Sequence, residues 1–169
     1  MAFIGAHVTM IGMTRVDTRP PRTGDSEKDV LTGFLDYLRQ CVVEKVRGVP
    51  EPAVREPGVA SGTNLLGLLK HLTHVERFMF LGEQAADWPA TFHAAPEETV
   101  DDLIAAYQQA VREVNRVIAD CGDLASPAAR PGRTRVTMRW ALTHMVEETA
   151  RHAGHLDILR ELVDGSTGR

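Results

Sequence analysis

Cysteine is scarce in this chain. Cys41 and Cys121 are its only two cysteines, and no framework spacing relates them. That excludes a disulfide scaffold and predicts a reduced, cytoplasmic protein. Basic blocks are missing too. The formal net charge is −4, which argues against nucleic acid as a main partner. No apolar run approaches the roughly 20 residues that a membrane helix needs, so no membrane partner is expected. The opening stretch MAFIGAHVTMIGM has no charged leading segment and is broken by His7 and Thr9, which predicts no signal peptide. Internal repeats, low-complexity segments and strand-like alternation are also absent.

What remains is helical periodicity. Residues 1–24 contain Pro20-Pro21 and Gly24 and are expected to form a flexible arm. A single domain is expected over 25–167. Asp25 or Ser26 should cap a first helix running to about Arg47, with Val30, Phe34, Tyr37, Leu38, Cys41 and Val42 as its apolar stripe. Gly48 and Pro50 stop it. Ser61 or Thr63 should cap a second helix to about Glu83, with Leu65, Leu68, Leu69, Leu72, Val75 and Met79 facing one way. A loop with Trp88, Phe92 and His93 follows. A third helix is expected from about Pro96 to Cys121, striped by Val100, Leu103, Ile104, Tyr107, Val111, Val114 and Ile118. Thr137 should cap the fourth, which reaches Gly165. Four amphipathic helices predict an all-α fold, a four-helix bundle.

The fourth helix carries the chemistry. With about 100° per residue and Met145 at zero, Met138, Leu142, Thr149, Leu156, Leu159 and Val163 fall between roughly −40° and +60°. On the same wheel His152 falls near about −20° and Glu148 near about −60°, inside or beside the stripe. His155 and His144 lie on its flank. On the second helix, His71 stands at the edge of the apolar face and His74 further out. A buried, unpaired charge is costly, so Glu148 and His152 need partners. Two histidines and a carboxylate from facing helices suit zinc, with a position left for water or substrate. Nickel, iron or manganese would accept the same donors. Spacing alone leaves another reading open, in which the helix 4 histidines are solvated or held by Glu147, Glu148 and Asp157.

The stretches Leu65–Glu76 and Glu148–Asp157 resemble the DinB/YfiT-like superfamily, and most closely its actinobacterial mini-circle-type branch. The likeness spans about Asp25 to Val163. It implies a four-helix bundle of the DinB/YfiT-like type that holds a divalent metal through one side chain of helix 2 and two of helix 4. Glu148 stands where many members have His, which matches relatives that are mycothiol-dependent maleylpyruvate isomerases. The resemblance therefore implies His71, Glu148 and His152 as metal ligands. His155 occupies a position where relatives carry Gln; with His74 and His144 it is a candidate for holding a ligand in place or contacting substrate. Relatives that transfer low-molecular-weight thiols imply a mycothiol S-transferase or thiol-dependent isomerase, with mycothiol as co-substrate, a small-molecule electrophile and a homodimeric state. The basic loop Arg130, Arg133 and Arg135 could attract an acidic conjugate. Two other readings stand beside this one. One is a catalytically silent metal- or ligand-binding bundle of a stress response. The other is a metal-dependent hydrolase with Glu148 as general base.

Overall fold

The computed structural model describes residues 19–22 and 24–168. Most of the expected arm, 1–24, lies outside the described residues. Four helices make up the fold: α1 Glu27–Val46, α2 Leu65–Leu81, α3 Val100–Asp120 and α4 Met138–Asp164. A short 3₁₀ turn, Pro89–Phe92, lies between α2 and α3. No strand occurs among the described residues, so the all-α bundle holds. No helix among them is long and apolar enough to cross a membrane.

Each helix starts on a side-chain cap. Ser26, Asn64, Thr99 and Thr137 accept from the backbone N–H of Asp29, Gly67, Asp102 and Trp140 respectively. Two of these differ from expectation. Asn64 caps α2 in place of Ser61 or Thr63, whose hydroxyls bond each other instead. α3 starts at Val100, several residues after Pro96, because Ala95 to Glu98 forms a turn and Thr99 supplies the cap. Gly82 and Gly165 end α2 and α4 in the left-handed conformation that glycine adopts without strain.

The helices run in two parallel pairs. Glu27 meets Arg139 at the start of α1 and α4, and Lys45 meets Asp157 toward their ends, so these two are parallel. Lys70 meets Glu98 just before α3, and Arg77 meets Glu113 further along, so α2 and α3 are parallel as well. The α2–α3 connection must therefore travel back along the bundle. That return segment brings Trp88, Thr91 and Phe92 onto the side of α2 that carries His71.

The core is two apolar clusters rather than one. One contains Val42, Val46, Leu65, Leu68, Leu69, Leu72, Ile104, Tyr107, Leu156 and Leu159. The other contains Leu35, Val75, Met79, Phe80, Val114, Ile118, Met138, Leu142 and Met145. On three of the four helices polar residues fall at or near the boundary: Arg39 on α1, Glu76 on α2, and Glu148 and Thr149 on α4. Arg39 and Glu76 are 3% and 0% exposed and form a two-pronged ion pair at 2.7 and 2.6 Å.

The stripe expected on α1 is only half right. Tyr37, Cys41 and Val42 are buried, but Val30 and Phe34 are more than 40% exposed. The buried face is rotated toward Leu35, Arg39 and Val46, because α1 packs chiefly along α4 while Arg39 reaches Glu76 on α2. On α4, Val163 is exposed as well, since the bundle ends before its last turn.

Candidate metal centre

His71, Glu148 and His152 converge across the α2–α4 seam. One ligand atom from each lies within 4.8 Å of the other two. Glu148 Oε1 stands between the histidines, 3.1 Å from His152 Nε2 and 3.8 Å from His71 Nε2. The i,i+4 spacing on α4 places Glu148 and His152 on one face, one turn apart. His71 is brought to them by α2, whose neighbouring Leu69 and Leu72 are fully buried.

The triad is mostly withdrawn from water. His71 is 7% and His152 8% exposed, and the Glu148 side chain is partly open. Burial, with the nearby His152 adding to it, pushes the His71 pKa down to about 4 despite the opposing effect of Glu148. Burial also lowers the His152 pKa, again against Glu148. Both rings are therefore neutral at neutral pH, the form in which imidazole donates a lone pair.

The same shift bears on stability. The His71 ring is harder to protonate folded than unfolded, so the unfolded chain binds more protons between about pH 4 and 6.5. Its contribution is intact above about 6.5 and is lost as pH falls toward 4. Metal-free protein should be about 2 kcal/mol less stable at about pH 5 than at about pH 7.5 from this ring alone. Urea unfolding of wild type and His71→Gln across that interval measures it. Equal slopes in the two proteins would rule out the ring as the source.

Do the residues present fit a metal? The donor set is two neutral imidazoles and a carboxylate. Ligand atoms around a four-coordinate zinc stand roughly 3.3 Å apart, from bond lengths of about 2.0–2.1 Å. The separations of 3.1 and 3.8 Å around Glu148 Oε1 lie close to that. His152 Nδ1 is buried with no hydrogen-bond partner among the described residues. The ring is thus not fully satisfied by protein alone. The set fits a small divalent ion.

The other histidines do not join the triad. His155 is exposed and stands edge-on to the His152 ring at 5.5 Å. His144 stacks on the exposed Trp140 ring at 4.9 Å and approaches Glu147. His74 is half-buried, and its pKa is lowered by burial and then by Lys70. Of the arginine loop, Arg130 stands apart from the triad. Arg130 lies over the Phe78 ring, whose edge meets Trp88.

Three features of the site lay beyond sequence reasoning. Phe92 stacks on the His71 ring at 3.8 Å and 15°. Thr91 Oγ1 lies 2.8 Å from His71 Nδ1. Gly67 makes both possible, since a Cβ there would stand 2.1 Å from the Phe92 carbonyl oxygen. The aromatic loop was a visible signal for the first feature. Nothing local marks Thr91 or Gly67.

Two clefts open one turn beyond the triad. One, of about 580 Å³, is lined by Ser61–Asn64, Leu68, Trp88, Pro89, Phe92 and His93. The other, of about 270 Å³, is lined by Val59, Ser61, Thr63, His155, Ile158 and Leu159. Leu68 and His71 share a helical stripe on α2, as do His152, His155 and Leu159 on α4. Both clefts therefore border the same end of the site, separated by Ser61 and Thr63.

The all-α bundle and a family-model match over residues 30–165 place the chain in the DinB/YfiT-like superfamily. Within that class, the chain belongs to the mycothiol S-transferase family, whose model matches residues 30–165. No curated protein matches the chain.

Proposed function

We propose that this protein is a divalent-metal-dependent S-transferase that joins the thiol of mycothiol to a small electrophile. The observation that carries the reading is the convergence of His71, Glu148 and His152 in a chain of the mycothiol S-transferase family. His71 Nε2, the Glu148 carboxylate and His152 would hold the ion. Zinc suits this donor set best, and nickel, iron or manganese are compatible with it. When bound, the metal supplies a positive charge that lowers a thiol pKa, otherwise near about 8.5, and raises the fraction present as thiolate.

The protein's own residues do the rest. Glu148 would offset the metal's charge, its Oε1 standing beside Nε2 of both imidazoles. Phe92 and Trp88 wall the site on the α2 side and keep water from His71. The larger cleft presents an apolar wall of Leu68, Trp88 and Phe92 to the body of the electrophile. His155, exposed at the rim, can donate a hydrogen bond to the polar part of either substrate. Mycothiol supplies the nucleophilic sulfur, so the buried Cys41 and Cys121 at the end of α3 need not. In this reading the protein acts in the cytoplasm and, like its relatives, as a homodimer.

The test is thiol consumption. Purified protein loaded with zinc should accelerate conjugation of mycothiol to a fluorogenic alkylating electrophile. Treatment with a chelator should return the rate to background, and zinc should restore it. A rate indifferent to chelation, or no acceleration with any of the four metals, would reject the reading.

A further inference from the structure

The crossover turn contains a proton arrangement that determines the chemical state of one ring of the triad. Thr91 is 3% exposed, on the 3₁₀ turn that packs over His71. Its Oγ1 lies 2.6 Å from the Trp88 carbonyl oxygen and 2.8 Å from His71 Nδ1. Two oxygens cannot sit at 2.6 Å without a proton between them, and a carbonyl carries none. The hydroxyl proton therefore points to Trp88. A hydroxyl has only one proton, so toward His71 it can only accept. Nδ1 must then carry the hydrogen. In a neutral ring this leaves the lone pair on Nε2, the atom that faces Glu148.

His152 is in the opposite state. Its Nε2 lies 3.1 Å from Glu148 Oε1, and a carboxylate only accepts, so in the metal-free protein Nε2 holds the proton. Its Nδ1 has no hydrogen-bond partner among the described residues. The two rings differ in preparation: one is held with its lone pair directed inward, and the other is free to exchange.

We propose that Thr91 is a positioning residue that fixes the Nδ1–H tautomer of His71 and so presents Nε2 as a ready ligand. Gly67 and Phe92 serve the same end. The missing Cβ lets the turn seat on α2, and the stacked ring blocks rotation of the imidazole. The proposal rests on the triad being a metal site, and its test separates the two claims.

The experiment compares wild type, Thr91→Val and Thr91→Ser. Valine keeps the shape and removes the acceptor, whereas serine keeps the acceptor. Nitrogen NMR of the metal-free proteins reads the His71 tautomer, and competition with a chromogenic chelator reads Zn²⁺ affinity. Wild type and Thr91→Ser should show a single His71 tautomer protonated at Nδ1. Thr91→Val should lose it and bind Zn²⁺ about 10–100-fold more weakly. An Nε2–H tautomer in wild type would overturn the proposal outright. So would a Thr91→Val protein with unchanged tautomer, or one with altered tautomer and unchanged affinity. If Thr91→Val does not fold, the wild-type and serine spectra still decide the tautomer. If no protein binds Zn²⁺, the metal reading falls and Thr91 is no longer a positioning residue for it, whatever the spectra show.

Discussion

Glu76→Ala is expected to destabilise the protein by about 3–5 kcal/mol. The side chain is completely buried and takes both prongs of the Arg39 guanidinium, at 2.7 and 2.6 Å. Arg39 also donates to Asp36 at 2.7 Å and Asn115 at 2.8 Å, but Asp36 is partly exposed and its charge is screened. Burial works against the arginine charge, and Glu76, with Tyr107 and Asp36 adding to it, more than offsets burial, so the guanidinium pKa is raised. Without Glu76 a cation is left between two apolar clusters. Whole-domain stability is typically about 5–15 kcal/mol, so the loss would be a large part of it. Replacing the pair together, as Arg39→Met with Glu76→Leu, should recover most of the stability, because apolar residues of similar volume need no partner. Urea denaturation of the singles and the double closes the cycle. A loss under about 1 kcal/mol in Glu76→Ala would mean that Arg39 swings into the open groove beside Tyr107 and Asn115.

His152→Ala should remove the metal and leave the helices standing. In the proposed site the side chain supplies one of three donors, and two donors hold a divalent ion poorly. Its loss from the metal-free fold is mild, because the ring's Nδ1 already has no hydrogen-bond partner among the described residues. Elemental analysis of protein purified after zinc loading should give about one equivalent for wild type and for His144→Ala. His152→Ala should fall to background, with an unchanged far-ultraviolet dichroism spectrum. Stoichiometric zinc in His152→Ala would eliminate the triad as the site. Loss from His144→Ala as well would place a fourth donor on α4 that the present arrangement keeps beside Trp140.

The parts of this molecule that could be read from sequence are those governed by one helix at a time. The limits of α4 follow from Thr137 at one end and Gly165 at the other. The inward placement of His152 and Glu148 follows from the angle between residues on a single helix. His71 was reached the same way on α2. The resemblance to DinB-like proteins then linked the two helices, which periodicity alone cannot do. What stayed hidden depends on contacts between elements. Nothing within α1 or α2 reveals that Arg39 and Glu76 are each other's partner. Val30 and Phe34 read as core because α1's buried face is set by its partner helices. Thr91 gives no signal, because its role exists only once the crossover segment returns past His71.

The division of the core has a further consequence, for how such a scaffold can change over time. The clefts draw on Leu68 and Leu159, members of one apolar cluster only. The other cluster lies across the layer of Arg39 and Glu76 and reaches the larger opening through Trp88, which packs against it. Substitutions separated by more than about 7–10 Å with no shared partner act nearly independently. Away from Trp88, the binding end can therefore be reshaped residue by residue while the far half keeps its packing. One bundle built this way can accommodate a succession of differently shaped substrates without being folded anew for each.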